Sequence, residues 1–280
     1  MKLEVSSAQS PVPGKHMSYW KLATGNWKLN AIAGLLTLAL LITIAVTAWG
    51  QPPHRKVLAF FTTGGETDHY LFAQDAMRRL GTNAATRGYS FAATSDWDAL
   101  NDGALKDVSL VIWLNDQPHT AAQRDAFRRY MDGGGAWLGF HISGFSSNAW
   151  PWYRNDFLGG GGFVASNWPS LPGRVNVDDP GHPTVQNMPA TFVAPINEWY
   201  SWNPSPRLNP DIKVLLTLDK SNFPMGVKNM LNGGDIPVAW TNTKYRMVYL
   251  NYGHGDRIYT SPILTTMIDN SLAWLLGAKE

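Results

Sequence analysis

Short apolar runs alternate with amphipathic segments between Lys56 and Phe140, and this alternation restricts the chain to few folds. The runs KVLAFF, SFAAT, LVIWL and AWLGF are typical of buried parallel strands. Between them, apolar residues recur three and four positions apart from Tyr70 to Ala84, and a second helix is predicted after Thr120, its N-cap. We expect right-handed crossovers and a doubly wound α/β sheet that is mostly parallel.

Charge and cysteine content exclude several classes of function. The formal net charge is +2, and the 23 Lys and Arg residues are scattered along the chain. A nucleic-acid-binding protein usually gathers such residues into a basic stripe, so we expect no nucleic-acid partner. The chain contains no Cys, which excludes disulfides, thiolate metal sites and a cysteine nucleophile.

One uncharged segment, Ala31–Trp49, predicts a membrane helix. It would form about 28 Å of α-helix, close to the thickness of the hydrocarbon core of a bilayer. It is apolar on all sides, whereas helices in the core of a soluble protein are usually amphipathic. Lysines predominate before the segment, which favours a cytoplasmic N-terminus.

These features predict three regions: a cytoplasmic tail over residues 1–28, a transmembrane signal anchor over residues 29–50, and a folded domain over residues 51–280. We therefore expect a single-pass protein of the inner (cytoplasmic) membrane with its domain facing the periplasm or the exterior. A cleaved signal peptide is the alternative, because Val46-Thr47-Ala48 is an acceptable cleavage site. The segment before the apolar run and the run itself are both long for a signal peptide, which favours the uncleaved anchor.

The second half of the domain is less regular. Residues 143–212 are rich in Trp, Pro, Asn and Gly and predict long loops, with a short strand at RVNVDD. IKVLLTL, IPVAW and YRMVYLNYG follow as predicted strands, and a closing helix ends at Gly277.

Polar residues that packing does not require occur in several loops. AWLGFHISG has the layout of a nucleophile elbow, a sharp turn that strains the backbone of its apex residue, here His141. DPGHPT, INEWY and NYGHGD contribute His182, Glu198 and His254. GETDHY follows the first predicted strand. Ligands of doubly wound sheets bind outside the carboxyl ends of the strands, where the elbow and GETDHY are expected.

Taken together, these motifs resemble the ThuA-like family, which is named for a trehalose-utilisation protein. The resemblance rests on KVLAFFTTG, VIWLN, AWLGFHISG, WPWY, DDPGHPT, NEWY, PVAW, VYLNYGHG and a C-terminal AWLLG, and it extends from about Lys56 to Gly277. It implies the class I glutamine amidotransferase-like fold, in which a flavodoxin-like sheet has an elbow after a central strand. It also implies a role in the metabolism of disaccharides and their keto-derivatives.

The chain departs from the amidotransferase pattern at the elbow and from the ThuA-like pattern in the Pro-rich segment. In an amidotransferase the elbow holds a cysteine, which a histidine after a late strand activates. Here His254 occupies the second position, but His141 replaces the cysteine, so no thioester can form and amidotransferase chemistry is excluded. The family often has a histidine in the Pro-rich segment after the glycine loop, where this chain has Asn167 and Trp168.

The histidines and the glutamate admit three interpretations. His141, His254 and Glu198 could catalyse proton transfer near neutral pH. His141, His182 and His254 could instead bind a divalent metal such as zinc. The third interpretation is a carbohydrate-binding or accessory subunit without turnover. Spacing does not decide between them, because the chain has no HExxH-like motif.

Aromatic residues in the same loops point to a sugar as the small-molecule partner. Their faces can stack on the C–H side of a pyranose while polar groups bind its hydroxyls. The alternative is that these rings form a satellite core beneath the loops. The residues predicted to bind substrate are Trp150, Trp152, Tyr153, Trp168, Trp199, Tyr200, Asp68 and His69.

Overall fold

The computed structural model describes residues 55–145, 149–222 and 235–277. The strands are β1 (Arg55–Phe60), β2 (Tyr89–Thr94), β3 (Leu110–Trp113), β4 (Ala136–Phe140), β5 (Gly162–Ser166), β6 (Leu171–Val177), β7 (Thr191–Asn197), β8 (Tyr200–Asn203), β9 (Ile212–Leu218), β10 (Pro237–Asn242) and β11 (Arg246–Leu250). The helices are α1 (Thr67–Asn83), α2 (Asp102–Leu105), α3 (Ala121–Asp132) and α4 (Pro262–Leu275).

The predicted tail and signal anchor lie outside the described residues. Among the helices described, none combines the length and the apolar character needed to cross a bilayer.

Nine of the described strands form one sheet in the order β2-β1-β3-β4-β11-β10-β9-β6-β7, and β5 pairs with β8 in a separate ribbon. The first five strands of this order are mutually parallel. Their arrangement is the 2-1-3-4-5 order of flavodoxin-like sheets, with β11 as the fifth strand. The predicted α/β class and the flavodoxin-like parallel sheet are confirmed.

Helices cover both faces of the parallel half. Phe72 of α1 and Met267 of α4 belong to the core on one face. Phe127 of α3 packs on the other face, with Trp113 and Trp137 of the sheet. This two-sided burial explains why β3 and β4 are apolar at every position instead of alternating.

The other half of the sheet is antiparallel, which the strand patterns did not specify. β10, β9, β6 and β7 continue the sheet beyond β11. β7 falls in the region expected to be loop, and Pro195 at its centre argues against a strand there. As the edge strand of the sheet, β7 tolerates that proline because one side of its backbone needs no hydrogen-bonding partner.

One predicted helix start is confirmed, and another lies earlier than predicted. α3 begins as predicted at the Thr120 N-cap, whose hydroxyl accepts a bond from the Gln123 N–H while the Gln123 side chain bonds back. α1 begins at Thr67, one turn before the expected Tyr70. Asp68 and His69 therefore lie in the first turn of a helix, which fixes their direction.

Replacing Gly139 by Ala should destabilise the fold. An added Cβ at this β4 position would overlap the indole ring of Trp137 and lie 2.5 Å from the Ser143 hydroxyl. Overpacking of this kind typically costs about 1–3 kcal/mol in the free energy of unfolding. Gly64→Ala is the matched control, because no atom lies within 4 Å of its added Cβ. Equal urea midpoints for the two variants would contradict this packing around Gly139.

Candidate functional site

The elbow after β4 holds His141 in a rare backbone conformation. Its φ is 44°, in the left-handed region, and its side chain is completely buried. Such a conformation in a residue other than Gly costs of order 1–3 kcal/mol and persists only where the surroundings enforce it. The strained apex expected from AWLGFHISG is therefore present.

Both ring nitrogens of His141 have hydrogen-bond partners. Its Nδ1 donates to the backbone oxygen of Asn251 at 3.1 Å. Its Nε2 lies 2.7 Å from the Tyr200 hydroxyl and 3.2 Å from Oε2 of Glu198, and the Tyr200 ring stacks on the imidazole at 4.1 Å. Burial lowers the pKa of His141, although Glu198 opposes that effect.

Glu198 lies between the elbow and the loop after β11. Its Oε2 is 3.2 Å from Nε2 of His141 and 3.8 Å from Nε2 of His254. Burial disfavours its ionisation, but hydrogen bonds with His141 and Ser166 outweigh that penalty and lower the pKa of Glu198 to about 2. The group is therefore a fixed carboxylate at neutral pH.

His254 connects the loop after β11 to the start of α1. Its Nε2 donates to Oε1 of Glu66 at 3.0 Å, and its Nδ1 accepts from the Ser170 hydroxyl at 3.2 Å. Oδ2 of Asp68 lies 3.6 Å from the same Nδ1. Glu66 is the N-cap residue of α1, so this helix places two carboxylates beside His254.

His69 lies between the other two imidazoles, with its ring centre 5.0 Å from that of His141 and 5.1 Å from that of His254. Burial, together with the nearby His141 and His254, lowers the pKa of His69 to about 3. His141 and His254 are themselves 5.6 Å apart. The elbow, α1 and the loop after β11 thus bring three histidines together.

Asn251 holds these elements together, and it is a residue that the sequence motifs did not single out. Its backbone oxygen accepts from His141 Nδ1 and from Asn197 Nδ2, and its side-chain oxygen accepts from the Tyr200 backbone N–H at 3.0 Å. Asn197 in turn accepts from the His254 backbone N–H. The sequence signal was an amide directly after the apolar strand YRMVYL, in the same motif as His254.

His182 is not part of this cluster, which corrects the expected convergence of three predicted metal ligands. Its ring packs on Trp274 of α4 at 5.0 Å, and its Nδ1 bonds the Thr184 hydroxyl. It lines a surface cavity with Arg246, the first residue of β11. That is the amino edge of the parallel sheet, whereas His254 follows the carboxyl end of β11. The turn at residues 183–185 packs against α4, which holds His182 there.

Most of the aromatic residues predicted to bind substrate are core residues. Those buried in the structure are Trp150, Trp152, Tyr153, Trp199 and Tyr200. These rings form a core beneath the loops, which was the alternative to sugar binding, because their faces are covered by other rings and by the sheet. Trp168 differs: it is 75% exposed, and its ring centre lies 6.5 Å from that of His254. Of the predicted rings, Trp168 alone is available to stack on a ligand.

Comparison with known proteins identifies the family. The profile of the ThuA family, described as trehalose utilisation, matches residues 56–275. The chain belongs to the ThuA family. The crystal structure of a ThuA-like protein from Bacteroides uniformis is 40% identical, superposes with a TM-score of 0.77, and covers 83% of this chain and 95% of its own.

More distant structures share the fold alone. A ThuA-like protein from Parabacteroides merdae is 14% identical, with a TM-score of 0.60 over 82% of this chain and 93% of its own. The glutaminase domain of Trypanosoma brucei CTPS is 10% identical, with a TM-score of 0.51 over 81% of this chain and 95% of its own. Comparison with curated protein sequences gives no match.

Acid should destabilise this ThuA-family domain partly through His69. The unfolded chain binds a proton at His69 below pH 6.5, whereas the folded chain does not until about pH 3. The free energy of unfolding therefore decreases as the pH is lowered from 6.5 to 3. His69→Gln should reduce the loss between pH 6.5 and 4.5 by up to about 1.4 kcal/mol per pH unit. Urea denaturation across this range measures the difference, and parallel curves for the two proteins would contradict it.

Proposed function

We propose that this ThuA-family chain binds and acts on a sugar or a modified disaccharide, such as a keto-disaccharide, at the carboxyl edge of its parallel sheet. The observation that carries the proposal is the exposed Trp168 ring beside a cluster of imidazoles and carboxylates. An aromatic face next to convergent hydrogen-bonding groups is what a pyranose requires.

The charges of the cluster suit a neutral, hydroxyl-rich ligand. Glu66 and Asp68 have side chains that are 45% and 47% exposed at the edge of the cluster, and Glu198 is a carboxylate deeper within it. Carboxylates accept hydrogen bonds from sugar hydroxyls, whereas the same charges would repel a phosphorylated sugar.

The roles predicted for three residues divide between contact and positioning. We assign the contact with a substrate hydroxyl to Glu198, whose carboxylate accepts its hydrogen bond, and His254 lies within 3.8 Å of that carboxylate. His141 is completely buried, with Tyr200 stacked on its ring and Glu198 hydrogen-bonded to Nε2. It therefore acts as a positioning residue for Glu198. Because the chain lacks Cys, glutamine hydrolysis through a thioester is excluded.

We further propose that residues 29–50 anchor the domain outside the cytoplasmic membrane. The support is the uncharged Ala31–Trp49 segment and the lysines that precede it. Full-length protein should stay in the membrane pellet after a carbonate wash. A soluble mature protein that begins near Trp49 would instead establish signal cleavage.

Trp168→Ala should weaken sugar binding by about tenfold, since an aromatic contact is worth roughly 0.5–1.5 kcal/mol. Leu208→Ala is the matched control, because Leu208 is also 75% exposed and follows the separate β8 strand. Calorimetric titration of the full chain in detergent with trehalose and with its keto-derivative measures the effect.

Three outcomes of that titration are informative. Equal affinity in the Trp168 and Leu208 variants, or no binding of either sugar by the unaltered protein, would contradict the proposed site. Binding with product formation that Glu198→Gln abolishes supports an enzyme. Binding without any product supports the accessory, carbohydrate-binding alternative.

A further inference from the structure

One buried nitrogen in the cluster has no role in the proposed sugar chemistry. His69 is 9% exposed, and its Nε2 has no hydrogen-bond partner among the described residues. Buried polar atoms without a partner are uncommon in folded proteins, and a bound ion is one way in which such an atom is satisfied.

The neighbours of this nitrogen have the chemistry of metal ligands. Oε2 of Glu66 lies 3.6 Å from His69 Nε2, and Oε1 of Glu66 lies 3.0 Å from Nε2 of His254. One ligand atom from each of these residues falls within 4.8 Å of the other two. Ligands of a tetrahedral zinc ion, each about 2.0–2.1 Å from the metal, lie about 3.3 Å apart. Small side-chain rotations would therefore suffice.

We propose that Glu66, His69 and His254 bind a divalent transition-metal ion of the zinc type. Two histidines and one glutamate form a ligand set typical of catalytic zinc, which keeps a further position open. Glu66 is the N-cap residue of α1 and His69 is its third helical residue, two positions whose side chains meet at the start of a helix. The binding is independent of whether a sugar is the substrate.

A second possible set, formed by His69, His141 and Glu198, requires more disruption. Nδ1 of His141 donates to the Asn251 oxygen, and Nε2 is hydrogen-bonded to the Tyr200 hydroxyl. Ligation by His141 would break the Tyr200 bond inside the core. Ligation by Glu66, His69 and His254 replaces only the hydrogen bond between His254 and the half-exposed Glu66.

The surroundings of His254 can accommodate the required tautomer. Without a metal, its Nε2 donates to Glu66; with a metal, Nε2 must be unprotonated and Nδ1 carries the proton. The Ser170 hydroxyl at 3.2 Å and Oδ2 of Asp68 at 3.6 Å are then available as acceptors for Nδ1. Such outer hydrogen bonds orient metal-ligating histidines.

Titration of the full chain with Zn²⁺ after treatment with EDTA tests the proposal. We expect one ion per chain, and Co²⁺ should give the absorption bands of a tetrahedral site. Glu66→Gln, His69→Gln and His254→Gln should each weaken Zn²⁺ binding by more than about 100-fold, since loss of even an outer partner costs 10- to 100-fold. His119→Gln and His182→Gln, which alter histidines outside the cluster, should bind as the unaltered protein does.

The variants also separate the two ligand sets. Glu198→Gln should keep Zn²⁺ affinity within about tenfold. Loss of Zn²⁺ binding in Glu198→Gln, together with retained binding in Glu66→Gln, would overturn the proposal in favour of His141 and Glu198. Absence of stoichiometric binding by the unaltered protein would also overturn it. Thermal denaturation in EDTA confirms that each variant folds, so lost binding is not mistaken for unfolding. Zn²⁺ binding is measured without sugar, so it can succeed or fail independently of the sugar titrations.

Discussion

The hydrogen bond from His141 Nδ1 to the Asn251 oxygen is the contact on which the rest of the site depends. It joins the elbow after β4 to the loop after β11, two neighbouring parallel strands. The approach is close: a Cβ at Gly253, whose φ is 151°, would lie 2.6 Å from the His141 Cβ. Only glycine fits there without strain. Held in this way, the loop carries His254 into contact with α1, and the strained elbow cannot relax.

Burial then determines the charge of the cluster. It favours neutral imidazoles at His69 and His141, while hydrogen bonds preserve the charge on Glu198. Glu66 and Asp68 add carboxylates at the exposed edge, next to the N-terminus of α1, where the helix dipole favours negative charge. Carboxylates next to unprotonated nitrogens form an environment that attracts hydroxyl donors and cations. The sugar and the metal proposals both draw on this one electrostatic property.

Sequence periodicity was sufficient for the parallel half of the fold, because strands covered by helices on both faces must be apolar throughout. It was insufficient for β7 and β8. β7 is an edge strand that contains Pro195, and β8 belongs to a two-stranded ribbon, so neither has the continuous apolar pattern of a buried strand. In the site, strand ends predicted His141 and His254 correctly as neighbours. His182 was misplaced, because the packing of its turn on α4 is a tertiary contact with no local signature. The buried tryptophans were predicted to stack on a sugar for the same reason, because composition does not reveal which face of a ring is covered.

The exchange of cysteine for histidine at the elbow has a structural consequence beyond the loss of a nucleophile. An imidazole is larger than a thiol, and here it is enclosed by Tyr200, Asn251 and Gly253. The apex is thereby closed to substrate and becomes part of the core. The polar atoms that can reach a ligand lie one layer outward, on Glu66, Asp68 and Glu198, beside His69 and His254. The elbow thus serves as a scaffold, and the half-exposed carboxylates of the cluster lie at the turn after β1, where α1 begins.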